Sequence, residues 1–150
     1  MTEASKYVKD YKNWHKLKSQ IDSVGVEKFF HEQEIWWCSV GVNVGYEIDG
    51  KNTNFERPIL IFRKFNKGMF WGVPLTSKVK EGKFYFTFDF KDRKSTVILS
   101  QLRILSSKRL IRKMGNLNKE QFGEVEKMIL KLISTEETKN EPLAGLSGAN

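Results

Sequence analysis

Two apolar runs separated by a short turn decide the fold: ERPILIF at residues 56–62 and FWGVPLTSK at residues 70–78. Short runs rich in β-branched and aromatic residues are typical of buried β-strands. The turn between them centres on residues 66–68, Asn-Lys-Gly, which are turn-forming types. We therefore predict a hairpin with Arg57 at the start of one strand and Thr76 at the end of the other. Polar side chains at the ends of apolar strands indicate a site carried on a rigid scaffold.

A third strand and a long loop precede this hairpin. Residues 35–40 are aromatic and apolar, which predicts a strand, whereas residues 41–55 are dense in Gly, Asn and Asp. That density predicts a long flexible loop, and a loop of this length in a small domain is usually functional. We expect the loop to bring Glu47 close to Arg57 and Thr76.

The strands that follow are marked by proline and by alternation. Pro74 lacks a backbone N–H, so it predicts an edge or a bulge in its strand. Residues 83–90 place four Phe on one face, which predicts a half-buried strand. An aromatic face can also stack nucleobases; core packing is the preferred interpretation, with Tyr85 on the other face as the better stacking candidate. Residues 96–105 predict a bent final strand pair, or one strand broken near Ser100.

An amphipathic helix is predicted near the N-terminus and ends at Gly25. Its apolar stripe consists of Tyr7, Tyr11, Trp14, Leu17, Ile21 and Val24. A stripe of this kind must be covered by other residues, so we expect the helix to dock on the domain formed by the strands or on a second subunit. An RNA-binding arm is the alternative.

A second helix is predicted to close the domain. Residues 106–112 predict a short helix capped by Ser106, and Asn118 with Gln121 predicts a capping box for a longer one. The polar and Gly-rich residues 134–150 predict a disordered tail. We therefore expect a helical extension at 1–30, a domain of strands with a closing helix at 31–133, and this tail.

Composition favours one globular domain, and its positive charge is compatible with binding a polyanion. The net charge is +8, and residues 31–133, with nineteen Lys or Arg and eleven acidic residues, carry a net +8 by themselves. Such a field attracts polyanions, although it also serves solubility. No run is apolar and long enough for a membrane span or a signal peptide, so a cytoplasmic protein is expected. The single cysteine, Cys38, is interpreted as a buried thiol rather than a nucleophile.

The sequence lacks the catalytic residues that most enzyme classes require. The chain has two histidines, both outside the predicted strands, and no phosphate-binding glycine motif or clustered carboxylates. We therefore expect no metal and no cofactor. RNA remains a suitable substrate, because its 2′-hydroxyl can attack the neighbouring phosphate and the polymer supplies its own nucleophile.

Five motifs occur in one order along the chain: EIWW at 34–37, NVG-x-E at 43–47, RPIL at 57–60, PLTS at 74–77 and LSQLR at 99–103. Together they resemble the PemK/MazF family of toxin endoribonucleases from type II toxin–antitoxin systems. The resemblance implies a mainly β (α+β) fold, a small SH3-like β-barrel of the PemK/MazF/CcdB type, here with an extra N-terminal and a C-terminal helix. It also implies a homodimer, a cognate antitoxin, and metal-independent cleavage of single-stranded RNA.

The resemblance assigns catalytic roles to Arg57 and Thr76 and a supporting role to Glu47. A guanidinium offers a permanently cationic fork of donors that matches a phosphate, and a threonine hydroxyl can donate to the same oxygens. Glu47 is a candidate base if burial raises its pKa, or else it orients Arg57 through an ion pair. RNA contacts are predicted at Asn43, Gly45, Asn66, Ser77, Lys78, Gln101 and Arg103.

Two departures and two alternatives accompany this hypothesis. Ser100 and Ser106 stand where the family often has acidic residues, which affects the expected dimer surface and cleavage efficiency. A CcdB-like toxin that binds a protein target without cleaving RNA is one alternative. An inactive RNA-binding module is the other.

Overall fold

Seven strands and two helices make up the part of the chain that the structure, a computed structural model, describes, which is residues 6–134. In chain order they are α1 (Tyr11–Val24), β1 (Glu34–Ser39), β2 (Glu56–Asn66), β3 (Met69–Thr76), β4 (Tyr85–Phe90), β5 (Arg93–Ile98), β6 (Arg103–Ser106), β7 (Leu110–Asn116) and α2 (Lys119–Ile133). Short 3-10 turns at Leu99–Gln101 and Ser107–Arg109 flank β6. The predicted mainly β class is confirmed. The predicted tail lies, from residue 135 on, outside the described residues.

The strands form one antiparallel, barrel-like sheet in the order β4-β5-β3-β2-β1-β7, with β6 paired to β3. Strand β3 belongs to both halves of this sheet: residues Met69 to Gly72 pair with β6, and Leu75 and Thr76 pair with β5. Pro74 lies between these two pairings, so its missing N–H interrupts no ladder on that side. Strand β3 lies inside the sheet and its pairing with β2 shows no register shift at Pro74, so a change of pairing partner stands there in place of the predicted edge or bulge.

The core has two main layers. Helix α2 covers one face of the sheet through Val125 and Ile129, which pack with strand residues such as Leu60, Val73 and Val97. The capping box that joins its N-cap residue to the third helical residue is confirmed. The second layer is a separate cluster that includes residues of β1, β2 and β3, and its largest fully buried members are Phe30 and Phe70. Phe88 is buried in the first layer and Phe86 and Phe90 pack against it, so three of the four alternating Phe residues serve the core as preferred. The fourth, Phe84, precedes β4 and is 39% exposed.

Helix α1 docks on the barrel through a small cluster. Trp14 is its buried residue and packs with Val42 and Phe55. Gly41 has φ +85°, and a Cβ there would lie 2.1 Å from the Trp14 ring, so only glycine permits this contact. The predicted stripe was too long: Tyr7 precedes the helix, and Val24 is 76% exposed and lies outside this cluster.

The predicted short helix at 106–112 is wrong beyond its first turn. Ser106 does cap a 3-10 turn, accepting from the N–H of Lys108, but the chain then forms strand β7. Consequently the strands predicted at 96–105 are not the last strands of the chain, because β7 follows them. Strand β7 pairs with β1 through two register shifts, and Leu110 enters the barrel core. The edge of β1 would otherwise leave its backbone groups unpaired, which favours a strand here.

Candidate functional site: a basic groove at the open end of the hairpin

Arg57 and Thr76 line one groove of about 650 Å³ at the open end of the β2–β3 hairpin. The hairpin register pairs Ile59 with Pro74. Continued by two residues, the same register places Arg57 opposite Thr76. Antiparallel pairing thus brings together two side chains that are distant in the sequence.

The Arg57 guanidinium is oriented by two backbone carbonyls. Its Nε donates to the carbonyl of Asp49 at 2.8 Å, and its Nη1 donates to the carbonyl of Leu75 at 3.0 Å. Within residues 6–134, no protein acceptor is bonded to Nη2 and no carboxylate forms an ion pair with this side chain. Burial lowers the pKa of Arg57, against the opposing charges of Asp49 and Tyr7. Because a guanidinium titrates so far above neutrality, Arg57 remains a cation at pH 7.

Thr76 presents a hydroxyl whose proton is available. Its Oγ1 accepts from the N–H of Lys78 at 3.3 Å, which leaves the O–H of Thr76 to donate elsewhere. Thr76 is half-buried, whereas Ser77 and Lys78 are exposed, and all three line the groove. A cation and hydroxyl donors therefore face the same space.

The groove is strongly basic. In the described part of the chain it is lined by one carboxylate, Glu56, and by seven cations: Lys51, Arg57, Lys78, Lys80, Lys91, Arg93 and Lys94. Glu56 is buried and bonded to Arg112 at 3.1 and 3.3 Å, so its charge is already met. Five of these cations were not predicted as site residues. The loop at 41–55, the β3–β4 connection and the β4–β5 hairpin deliver them, and the sequence holds no signal of where these elements lie relative to the β2–β3 hairpin.

Glu47 is not brought to Arg57. It is exposed, it does not line the groove, and its Oε1 accepts from the N–H of Val44 at 3.0 Å. The loop contact to Arg57 comes instead from the Asp49 carbonyl. The two features expected of Glu47 were partial burial and an ion pair with Arg57. Neither is observed in the described part of the chain.

Asn43 and Gln101 use their amides on the loop itself. Asn43 donates through Nδ2 to the carbonyl of Ile48 at 2.7 Å. Gln101 accepts from the N–H of Ile48 at 3.1 Å and donates to the carbonyl of Tyr46 at 2.9 Å. The loop around Gly45 is thus held by side chains rather than by a strand ladder. The predicted flexibility of this loop stays a prediction.

Asn66, Arg103 and Tyr85 do not line the groove. Asn66 lies in the turn at the closed end of the hairpin, where its Oδ1 accepts from the N–H of Gly68 at 2.8 Å. Nine residues of strand at roughly 3.3 Å each separate it from Arg57, a distance of about 30 Å. Arg103, on β6, pairs with Gly72 of β3. The Tyr85 ring lies 5.4 Å from the ammonium of Lys80. The structure therefore gathers Arg57, Thr76, Ser77 and Lys78 from the predicted set.

Three further features bear on chemistry. Cys38 is fully buried, and burial raises the pKa of its thiol to about 12, so the predicted structural thiol is confirmed. Among residues 6–134, no group of three His, Cys, Asp or Glu side chains is arranged to hold a metal ion. The described helices include none that is both long and apolar enough to cross a bilayer.

The fold and the groove define a class: small, mostly antiparallel β proteins with a basic site at one sheet end. A family model described as the PemK-like, MazF-like toxin of type II toxin-antitoxin systems matches residues 31–133, more than half of the chain. The chain belongs to this family. No curated protein matches it at a significant level.

Solved structures share this fold. MazF from Deinococcus radiodurans is 18% identical with a TM-score of 0.56, covering 71% of this chain and 97% of that one. An endoribonuclease in complex with its cognate antitoxin, from a mycobacterial species, is 14% identical with a TM-score of 0.52, covering 70% and 95%. The MazE-MazF structure from Deinococcus radiodurans is 16% identical with a TM-score of 0.52, covering 71% and 97%. At these identities the likeness concerns the fold.

Proposed function

We propose that this chain is a metal-independent endoribonuclease that cleaves single-stranded RNA in the groove between β2 and β3. One observation carries the proposal: the Arg57 guanidinium is partly buried, oriented by neutral carbonyls and paired with no described carboxylate, beside the Thr76 hydroxyl. A cation held in this way costs little reorganisation when an anion arrives.

In the proposed reaction the ribose 2′-oxygen attacks the adjacent phosphorus, and the bond to the 5′-oxygen of the next nucleotide breaks. The products are a 2′,3′-cyclic phosphate and a 5′-hydroxyl. Arg57 donates to the non-bridging oxygens as negative charge builds on them, and Thr76 donates a further hydrogen bond. The 2′-hydroxyl proton passes to a base, for which Glu47 stays a prediction, and water supplies the proton of the 5′-oxygen.

The groove also supports the substrate class. Exposed lysines around it, such as Lys78, Lys80 and Lys91, match a flexible strand with one phosphate per nucleotide. We further propose a homodimer that acts in the cytoplasm and is silenced by a cognate antitoxin. Acidic residues of such an antitoxin would compete for the same cations. The mycobacterial and Deinococcus structures that contain an antitoxin support this part of the proposal.

The test is to incubate purified protein with a long single-stranded RNA in excess chelator and map the ends. We expect discrete fragments ending in cyclic phosphate, and at least about tenfold slower release of the same fragments from the Arg57→Ala and Thr76→Ala variants. An RNA that stays intact but shifts on a gel supports a binding module instead. RNA that neither shifts nor breaks supports a toxin that targets a protein.

A further inference from the structure

The N-terminal segment before and at the start of α1 is bonded to the site loop at residues 43–49. The Tyr11 hydroxyl donates to the carbonyl of Asn43 at 2.9 Å. Lys9 Nζ donates to the same carbonyl, and also to the carbonyl of Gly45 at 3.2 Å. Neither Lys9 nor Tyr11 belongs to the matched region 31–133. This chain therefore adds contacts to the loop from outside the family domain.

The Asp49 carboxylate receives two further contacts from this segment. Its carboxylate accepts from the Tyr7 hydroxyl at 3.0 Å, pairs with Lys9 at 3.4 Å, and accepts from the N–H of Asn43 at 2.6 Å. Only 14% of the Asp49 side chain is exposed, so solvent screens the charge weakly. Burial, and next the hydrogen bond to Asp49, raise the pKa of Tyr7, so the phenol remains a donor at neutral pH.

The backbone of the same residue orients the catalytic candidate. The Asp49 carbonyl accepts from Arg57 Nε at 2.8 Å, while the carboxylate faces the N-terminal donors. An unpaired carboxylate beside a guanidinium would turn toward it, because charge-assisted hydrogen bonds are about twice as strong as neutral ones. That turn would give Arg57 an internal anion in place of a phosphate.

We propose that Tyr7 and Lys9 are positioning residues that hold the Asp49 carboxylate away from Arg57 and so keep the guanidinium available to RNA. The proposal rests on the proposed function for its effect on cleavage. The contact itself is independent of that function, and the N-terminal extension acquires a role that helix packing alone does not provide.

The kinetic test compares the double variant Tyr7→Phe with Lys9→Met against wild type and against Lys12→Met. Lys12 is exposed on α1, so it matches the charge change without touching the loop. We expect kcat to fall about fivefold or more, as the loss of one to two hydrogen bonds implies, with KM within about twofold. Lys9→Arg retains the cation, so it should keep most of the wild-type rate, whereas Lys9→Met should not. An unchanged kcat in the double variant overturns the proposal.

Coupling to Arg57 separates positioning from general weakening. In an Arg57→Ala background the double variant should cause no further loss in the residual rate, since the group it acts through is gone. A full further loss in that background overturns the assignment.

Hydrogen exchange tests the contact without any cleavage. The amide of Asn43, bonded to the Asp49 carboxylate, should exchange about fivefold faster or more in the double variant than in Lys12→Met. Amides of β1 and β2 should keep their rates. If wild type leaves RNA intact, the proposed function fails, and this measurement still decides the contact: faster exchange at Asn43 supports it and an unchanged rate overturns it.

Discussion

Two arginines, Arg112 on β7 and Arg57 on β2, have opposite kinds of hydrogen-bond partner. On the β1–β7 side, Arg112 holds both oxygens of the Glu56 carboxylate at 3.1 and 3.3 Å and lies over the Trp37 ring at 4.8 Å. At the end of the hairpin, Arg57 bonds to two backbone carbonyls and pairs with no carboxylate in the described part of the chain.

The difference separates a structural cation from a site cation. When a guanidinium forms a bidentate pair with a carboxylate, its charge is neutralised inside the protein. A guanidinium that meets only neutral carbonyls is oriented but keeps its charge for a ligand. The ion pair of Lys113 with Glu34 at 2.8 Å places a second structural cation on the β1–β7 side.

The same substitution at both arginines gives the largest expected effect. Arg57→Lys keeps the charge but loses the fork, so cleavage should slow at least about tenfold, or roughly 1.4 kcal/mol of barrier. Arg112→Lys should keep cleavage within about twofold while lowering the free energy of unfolding by about 1 kcal/mol. Rates on a defined RNA and urea unfolding measure both. A nearly fully active Arg57→Lys would place both arginines in the structural class.

The hydroxyl beside Arg57 should follow it in size. Thr76→Val keeps the shape of the side chain but removes the donor, so cleavage should fall about tenfold. Thr76→Ser keeps the donor and serves as the matched control, with a rate within about threefold of wild type. Single-turnover rates at saturating RNA compare them, and equal rates for valine and serine would remove Thr76 from the mechanism.

On the structural side, Glu34→Gln should change stability rather than cleavage. Burial acts to raise the pKa of Glu34, but hydrogen bonds from Lys113, the His31 N–H and Trp36 hold it below the usual range. A lowered pKa stabilises the fold above the ordinary value near 4.5, and this stability is lost as pH falls through the folded-state pKa.

At pH 7 we therefore expect Glu34→Gln to lower the free energy of unfolding by about 1 kcal/mol. The gap from wild type should narrow as the pH drops below 4.5. Unfolding curves across this range measure it, with RNA cleavage at pH 7 as the control. A constant gap would mean that the Glu34 charge does not contribute.

The smallest effect concerns one groove lysine. Lys78→Met should remove about 0.7 from the log–log slope of RNA affinity against salt, as expected for one phosphate contact on a single strand. Lys12→Met, with the same charge change on α1, should keep the wild-type slope. Fluorescence titrations at several salt concentrations measure it, and equal slopes for the two variants would exclude Lys78 from the phosphate path.

Many strands of the sheet could be predicted because their local apolar patterns match the burial that the tertiary structure imposes on them. The runs at 56–62 and 70–78 became β2 and β3, and Phe86, Phe88 and Phe90 became the core face of β4. Strand β7 could not be predicted in this way. Its sequence LIRKMGN lacks clean alternation, and two register shifts adapt it to β1, so the open edge of β1 decides its conformation.

The site could be predicted only where it follows the hairpin. Arg57 and Thr76 stand at matching strand ends, which apolar patterning reveals. Glu47 and Asn66 were grouped with them by nearness in sequence or motif, but a loop directs the first elsewhere and the length of the hairpin separates the second. The roles of all predicted site residues remain for the experiments above.

By itself the sequence determined a mainly β domain with two amphipathic helices, because burial patterns and caps act over a few residues. It also determined the excess positive charge, which is a matter of counting. Only the tertiary structure decided which charges are neutralised and which face the groove, since hydrogen bonds between distant segments, such as Arg57 with Asp49 and Arg112 with Glu56, depend on how the strands come together.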